Sequence, residues 1–199
     1  MEIADYATYD GAEVMHYMGF GRPLDDVPML LLPGVLSIAW GGAIRQLAAG
    51  LGIELDGITE SYEREPAPED FDIAVGPVAK GTMAALQFEI RGMVNGHPAI
   101  VVEHITRLRE DLRPDWPQPA QPGGSYRVEI AGEPSYTVDI CPTSRKGDHN
   151  HAAIVGAAGR IVNAIPAVVA APPGIRTTMD LPLVTGSGLF YAPAAVAAV

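Results

Sequence analysis

Two imidazoles and a carboxylate are crowded into Gly147-Asp148-His149-Asn150-His151. Zinc sites use such groups, but normally with a third His or Cys at a definite spacing, and no partner is evident along the chain. The pattern fits a capped helix start on the surface better, with Asp148 or Asn150 accepting hydrogen bonds from free amides. Cys141, the single cysteine, precedes Pro142 at a strand end and has no base beside it, so it reads as a structural thiol. The carboxylates from Glu60 to Asp72 are numerous. Strand alternation puts Glu63 and Glu65 on one face and Glu60, Tyr62 and Arg64 on the other. Paired carboxylates can do acid–base work, although a solvated acidic edge is the commoner outcome. A dinucleotide-binding glycine loop is not expected. Gly19-Phe20-Gly21 is followed by Pro23 and has Leu24 at the third glycine position, and Gly186-Ser187-Gly188 has Tyr191 there. No metal-binding or cofactor-binding residue is therefore predicted.

The richest constellation lies on a hairpin. Segments 82–94 and 98–108 flank Asn95-Gly96, a pair suited to a two-residue type I′ turn because both positions need positive φ. A regular ladder from that turn pairs Ile90 with Val101, Phe88 with Glu103 and Leu86 with Ile105. On the opposite face it pairs Glu89 with Val102, Gln87 with His104 and Ala85 with Thr106. Gln87, Glu89, Arg91, His104 and Thr106 would then share one face with Ile100 and Val102. Such a mixture suits an oligomer interface or a pocket lining better than a plain solvated face. Gln87, Glu89 and His104 become candidate substrate-binding residues. Asn163 joins them from a later helix, where Gly156, Gly159 and Asn163 share a side; helix packing is one reading there and a ligand edge the other.

The elements that must position these residues follow from periodicity. A helix is predicted over 35–51, with Val35, Ile38, Ala39, Ala43, Leu47 and Leu51 at roughly helical spacing and Gly50 and Gly52 to end it. Gly41-Gly42 inside it is a weakness or a point of close packing. A strand is predicted over 58–65. A second hairpin pairs 126–130 with 136–140 around a loop of Gly132-Glu133-Pro134, which sets Tyr126, Val128 and Ile130 opposite Ile140, Val138 and Tyr136. A last helix is predicted over 150–165, ended by Pro166. The Pro- and Gly-rich stretch 114–124 is a surface connection between strands of one sheet. The fold class expected is α+β, an antiparallel or mixed sheet with helices on one face, formed as a single domain over 1–199.

Composition bounds the partners. The net charge is −11 and the basic residues are scattered, so neither nucleic acid nor an anionic membrane surface is expected. The apolar stretch 152–171 carries Arg160, Asn163 and Pro166, which argues against a membrane span. The N-terminus lacks an apolar signal core, and a lone cysteine suits a reducing compartment, so the expected location is cytoplasmic.

Several motifs resemble a known family. Val162-Asn163-Ala164-Ile165-Pro166-Ala167-Val168, Ala171-Pro172-Pro173-Gly174-Ile175 and Asp180-Leu181-Pro182-Leu183 are similar to the closing segment of dihydrodipicolinate reductase-like oxidoreductases. The nearest branch holds 2,4-diaminopentanoate dehydrogenase and the native amine dehydrogenases. Pro33-Gly34-Val35-Leu36, Ala39-Trp40-Gly41, Tyr62-Glu63-Arg64-Glu65-Pro66-Ala67 and Gly147-Asp148-His149-Asn150 fit the same branch, so the resemblance covers nearly the whole chain. It implies the C-terminal, substrate-binding and oligomerisation half of a two-domain enzyme whose N-terminal Rossmann domain holds NAD(P) and is absent here. Hydride transfer at a carbon bonded to nitrogen would follow only with that separate domain. The implied partners are a small amine or amino acid and further copies of the chain. Glu89, His104, Asn163 and Gln87 are the positioning candidates on the face argument; no catalytic residue is assigned. Dihydrodipicolinate reductases proper carry a histidine-rich stretch with a lysine before Ser-Gly-Thr, whereas Lys80 and Lys146 sit elsewhere here. The alternative is a stand-alone, non-enzymatic binding or assembly module derived from such a domain.

Overall fold

The computed structural model describes residues 11–73, 75–147 and 149–186. The chain divides into two compact units, 1–152 and 153–199. In the first, helix α1 (Gly11–Met18) and a 3₁₀ turn (Met29–Leu31) precede α2 (Val35–Leu51). Strands β1 (Gly57–Pro66), β2 (Phe71–Ile73), β3 (Gly76–Val78), β4 (Met83–Val94), β5 (His97–Arg107), β6 (Tyr126–Ile130) and β7 (Tyr136–Ile140) follow, and α3 (His149–Ala170) begins there and continues in the second unit. The strands form an antiparallel sheet in the order β1-β4-β5 and two separate ribbons, β2-β3 and β6-β7. The class is α+β. The segments beside 114–124 thus belong to different sheets, contrary to the expectation of one.

Helix α2 packs on β4, β5 and β1. Gly34 before it and Gly52 after it both take left-handed backbone, with φ of 83° and 67°. Its sheet-facing side is Leu36, Gly41, Ile44 and Ala48, while Ile38, Leu47 and Leu51 are exposed. The apolar stripe read from the sequence is therefore the wrong one. The helix is apolar nearly all round, so periodicity alone does not select a face. Gly41 is a point of close approach: a Cβ there would lie 3.2 Å from Ile58 Cδ1. Gly92 in β4 is tighter still, since a Cβ would fall 2.7 Å from Ile44 Cγ2. The helix can sit on the sheet because these two positions have no side chain. Phe88, Leu86 and Ile90 are fully buried on the sheet face beneath it, and Met83 and Ile105 are fully buried elsewhere in the same core.

The β4–β5 ladder starts as the Asn-Gly turn dictates, with Val94 opposite His97 and Met93 opposite Pro98. It then slips by one residue, because Gly92 pairs with Ile100 and Ala99 is left over. This is a β-bulge, and it reverses the side of every β5 residue beyond it. Ile90 faces Val102, Phe88 faces His104, Leu86 faces Thr106, Glu89 faces Glu103 and Gln87 faces Ile105. The β6–β7 pairing is the expected one: Tyr126 with Ile140, Val128 with Val138 and Ile130 with Tyr136. Helix α3 runs through Pro166 to Ala170 rather than stopping before it. Proline costs the helix one internal hydrogen bond without obliging it to end.

Candidate functional site

The bulge decides which candidate side chains meet. His104 and Thr106 turn to the helix-covered face, with Phe88, while Gln87, Glu89 and Arg91 stay on the other. The shared polar face of Gln87, Glu89 and His104 expected from a regular ladder does not form. On the helix side the His104 ring stacks on Phe88 with centroids 4.8 Å apart, and Phe88 meets Trp40 of α2 at 4.9 Å. His104 Nε2 and the Thr106 hydroxyl are 2.6 Å apart. Desolvation pushes the His104 pKa down to about 4, so the imidazole is neutral at physiological pH. It can orient a partner through a hydrogen bond, but it is not a cation there.

The same face carries Glu60, whose carboxylate reaches the start of α2. Gly34 N donates to Oε1 at 2.6 Å, and Ser37 N and Ser37 Oγ donate to Oε2 at 2.7 and 2.6 Å. Glu60 is thereby a helix cap supplied by the sheet, not an acid–base group. Arg64, four residues on, donates to the carbonyls of Asp26 and Leu24 and ties the preceding loop to β1.

On the open face, Glu89 and Glu103 stand directly opposite each other, which is unfavourable for like charges. Each finds relief along its own side. Arg91 pairs with Glu89, and Gln87 Nε2 donates to Glu103 Oε1 at 2.6 Å. Ser61 and Glu63 of β1 extend the row beside Glu89 and Gln87. The result is a rigid, net-acidic platform, with Gln87, Glu89 and Glu103 all half-buried. One end of it is roofed by the segment after β5, where Leu112 and Trp116 are buried. Glu103 is a member that the regular ladder placed on the wrong side.

The start of α3 differs from its sequence reading. His149 and Asn150 are buried rather than exposed at a surface cap, and Asp148 lies outside the described residues. The His149 ring lies 5.5 Å from the Tyr126 ring. The segment before β6 is stitched locally: Ser125 Oγ accepts from Ala120 N, and Gln121 Nε2 donates to the carbonyls of Gly124 and Pro142. Asn163 belongs to the second unit, half-buried on α3. There Arg160 donates to the Val184 carbonyl at 2.9 Å, and Ile161, Ile165, Val168 and Leu181 line an apolar groove of about 470 Å³. By length and composition α3 could cross a bilayer, its most apolar 18-residue window having a mean hydropathy of 1.7, although Arg160 and Asn163 lie within it. Among the described residues no group of three or more His, Cys, Asp or Glu is arranged to hold a metal ion, and Cys141 is exposed.

A family model described as the 2,4-diaminopentanoate dehydrogenase C-terminal domain matches residues 2–188. An amine dehydrogenase of Streptomyces virginiae is 40% identical over 185 residues, which are 92% of this chain and 51% of that protein. The solved structure of an amine dehydrogenase from Mycobacterium smegmatis superposes with a TM-score of 0.63 at 20% identity, covering 93% of this chain and 50% of that one. That similarity is one of fold. The chain spans about half the length of the relatives it matches.

Proposed function

Because the chain belongs to the 2,4-diaminopentanoate dehydrogenase C-terminal domain family, we propose that it is the substrate-binding and oligomerisation part of an NAD(P)-dependent oxidoreductase acting on a C–N bond. The observation that carries this reading is the match of residues 2–188 to a dehydrogenase's C-terminal domain. The substrate class is a small amine or amino acid. A net-acidic platform of Glu89 and Glu103, with Gln87 beside them, is electrostatically suited to a protonated amine. His104 as a neutral imidazole and Asn163 on α3 are further positioning candidates.

The described residues do not form the usual seat for the pyrophosphate of a nicotinamide dinucleotide. That pyrophosphate is usually held by a glycine-rich turn between a parallel strand and a helix, whereas the strands described here pair antiparallel throughout. A separate dinucleotide-binding domain would supply that part. The work left to this half is to orient the amine and keep water from it. The scattered basic residues and single cysteine support a cytoplasmic setting, with the apolar surface of α3 covered by protein rather than lipid.

Titration with NADH and NADPH tests the division of labour. The chain alone is expected to show no saturable binding up to millimolar cofactor, and the chain joined to the dinucleotide-binding half of a related amine dehydrogenase should bind. Micromolar binding of either cofactor by the chain alone would contradict the reading.

A further inference from the structure

The β6–β7 ribbon has two opposite faces. One is charged: Arg127 donates to both Asp139 oxygens, at 2.7 and 3.0 Å, and Glu129 lies 4.0 Å from the same guanidinium. The other is wholly apolar, made of the pairs Tyr126–Ile140, Val128–Val138 and Ile130–Tyr136. These six side chains are 36–56% exposed. Tyr126 is the least so, its ring also meeting His149, which roots the ribbon at the start of α3. A two-stranded ribbon is marginal in water by itself, so a face of this kind needs cover.

The order of residues identifies the cover. Row by row the face reads Tyr–Ile, Val–Val, Ile–Tyr, so a half-turn about its normal exchanges the two tyrosines. Laid face to face on a second copy, about a two-fold axis in the ribbon plane, every tyrosine meets an isoleucine and every valine a valine. This holds whether the axis runs along the strands or across them. Large side chains therefore never oppose large ones, the self-complementarity that an isologous contact requires. No charge lies on the face, so the net charge of −11 opposes the contact only at long range. The exposed apolar area is on the order of 500 Å² per copy, against roughly 800 Å² per partner in a standard interface. The ribbon thus supplies the core of a contact whose rim lies around it.

We propose that the apolar face of the β6–β7 ribbon is a homodimer contact, packed on the same face of a second copy of this chain. The proposal rests on the oligomerisation part of the reading above and names the surface. Sedimentation equilibrium of the 199-residue chain should show a reversible dimer that strengthens with added salt. Val128→Asp should weaken it at least tenfold, and the near-isosteric Val138→Thr several-fold, with circular dichroism and the thermal midpoint of Val138→Thr close to the parent's. In a Cys141→Ser background, a short bis-maleimide should couple Val128→Cys to itself or to Val138→Cys, depending on the axis. A dimer unmoved by both valine variants, with neither cross-link formed, overturns the ribbon assignment and leaves oligomerisation standing. A chain that stays monomeric, or that is monomeric and floats with lipid vesicles, overturns both.

Discussion

Replacing Arg107 with alanine is expected to destabilise the first unit by about 3–5 kcal/mol, the cost of stranding three carbonyls and opening a cavity. Arg107 is 1% exposed at the end of β5. Its Nε donates to the Leu112 carbonyl at 2.8 Å, and its Nη2 to those of Arg113 and Pro117 at 3.1 and 3.0 Å. One planar side chain thereby satisfies three carbonyls of a segment that contains Pro114 and Pro117 and forms no strand or helix of its own. Desolvation lowers the guanidinium's pKa, yet an arginine remains charged at neutral pH. Alanine would strand the three carbonyls and open a cavity beside Trp116, which lies 5.7 Å from the guanidinium. Lysine should rescue little, because an ammonium cannot fan out to three acceptors in one plane. In urea unfolding the midpoint should fall with an unchanged slope, and the melting temperature should drop by roughly 10 °C for a chain of this size. A loss below about 1 kcal/mol would mean that Leu112 and Trp116 hold the segment without Arg107.

The second large effect is expected at Glu60. Gly34, the residue before α2, has no side chain to cap the helix, and the free amides of Gly34 and Ser37 are met instead by a carboxylate from the sheet. Glu60→Ala removes the cap, the bond to Ser37 Oγ and an anion at the positive end of the helix, for about 2–3 kcal/mol together. Glu60→Gln keeps the shape but turns a donor towards donors, and should cost nearly as much. Desolvation raises the pKa of Glu60, but the bonds from Ser37 and Gly34 outweigh it and hold the value below 4.5. A carboxyl whose folded pKa is depressed stabilises fully above its unfolded value and loses that contribution as pH falls through the folded one. The gap between parent and Glu60→Gln should therefore be complete at pH 7 and close as pH falls below about 4.5. A gap independent of pH from 7 to 3 would show that the charge is not what caps α2.

Both residues also show what the sequence could and could not reveal. Glu60, Tyr62 and Arg64 fall on the helix side of β1 as simple alternation requires, and the β6–β7 pairing follows from matching its apolar faces. The Asn95-Gly96 turn is as legible. The next step is not, because one extra residue at Ala99 sends His104 to the covered face. Pro98, which has no N–H for the ladder, and Gly92 opposite the slip were the available signals. Burial of His149 and Asn150 depends on contacts made at a distance in sequence, among them the Tyr126 ring, and no local pattern reports that. The three carbonyls gathered by Arg107 are illegible for the same reason, since the path of 108–117 is set by tertiary contact rather than by period.

A domain exchange tests most directly the proposal that this chain is the substrate-side half of an oxidoreductase acting on a C–N bond. The half of the Streptomyces virginiae amine dehydrogenase that aligns with this chain would be replaced by it, and NAD(P)⁺ reduction followed against a panel of amines and amino acids. The expected result is turnover that requires both cofactor and amine, with a ranking of amines different from the parent enzyme's. A folded exchange protein that binds cofactor as the parent does, yet reduces none with any amine or amino acid on the panel, would contradict it.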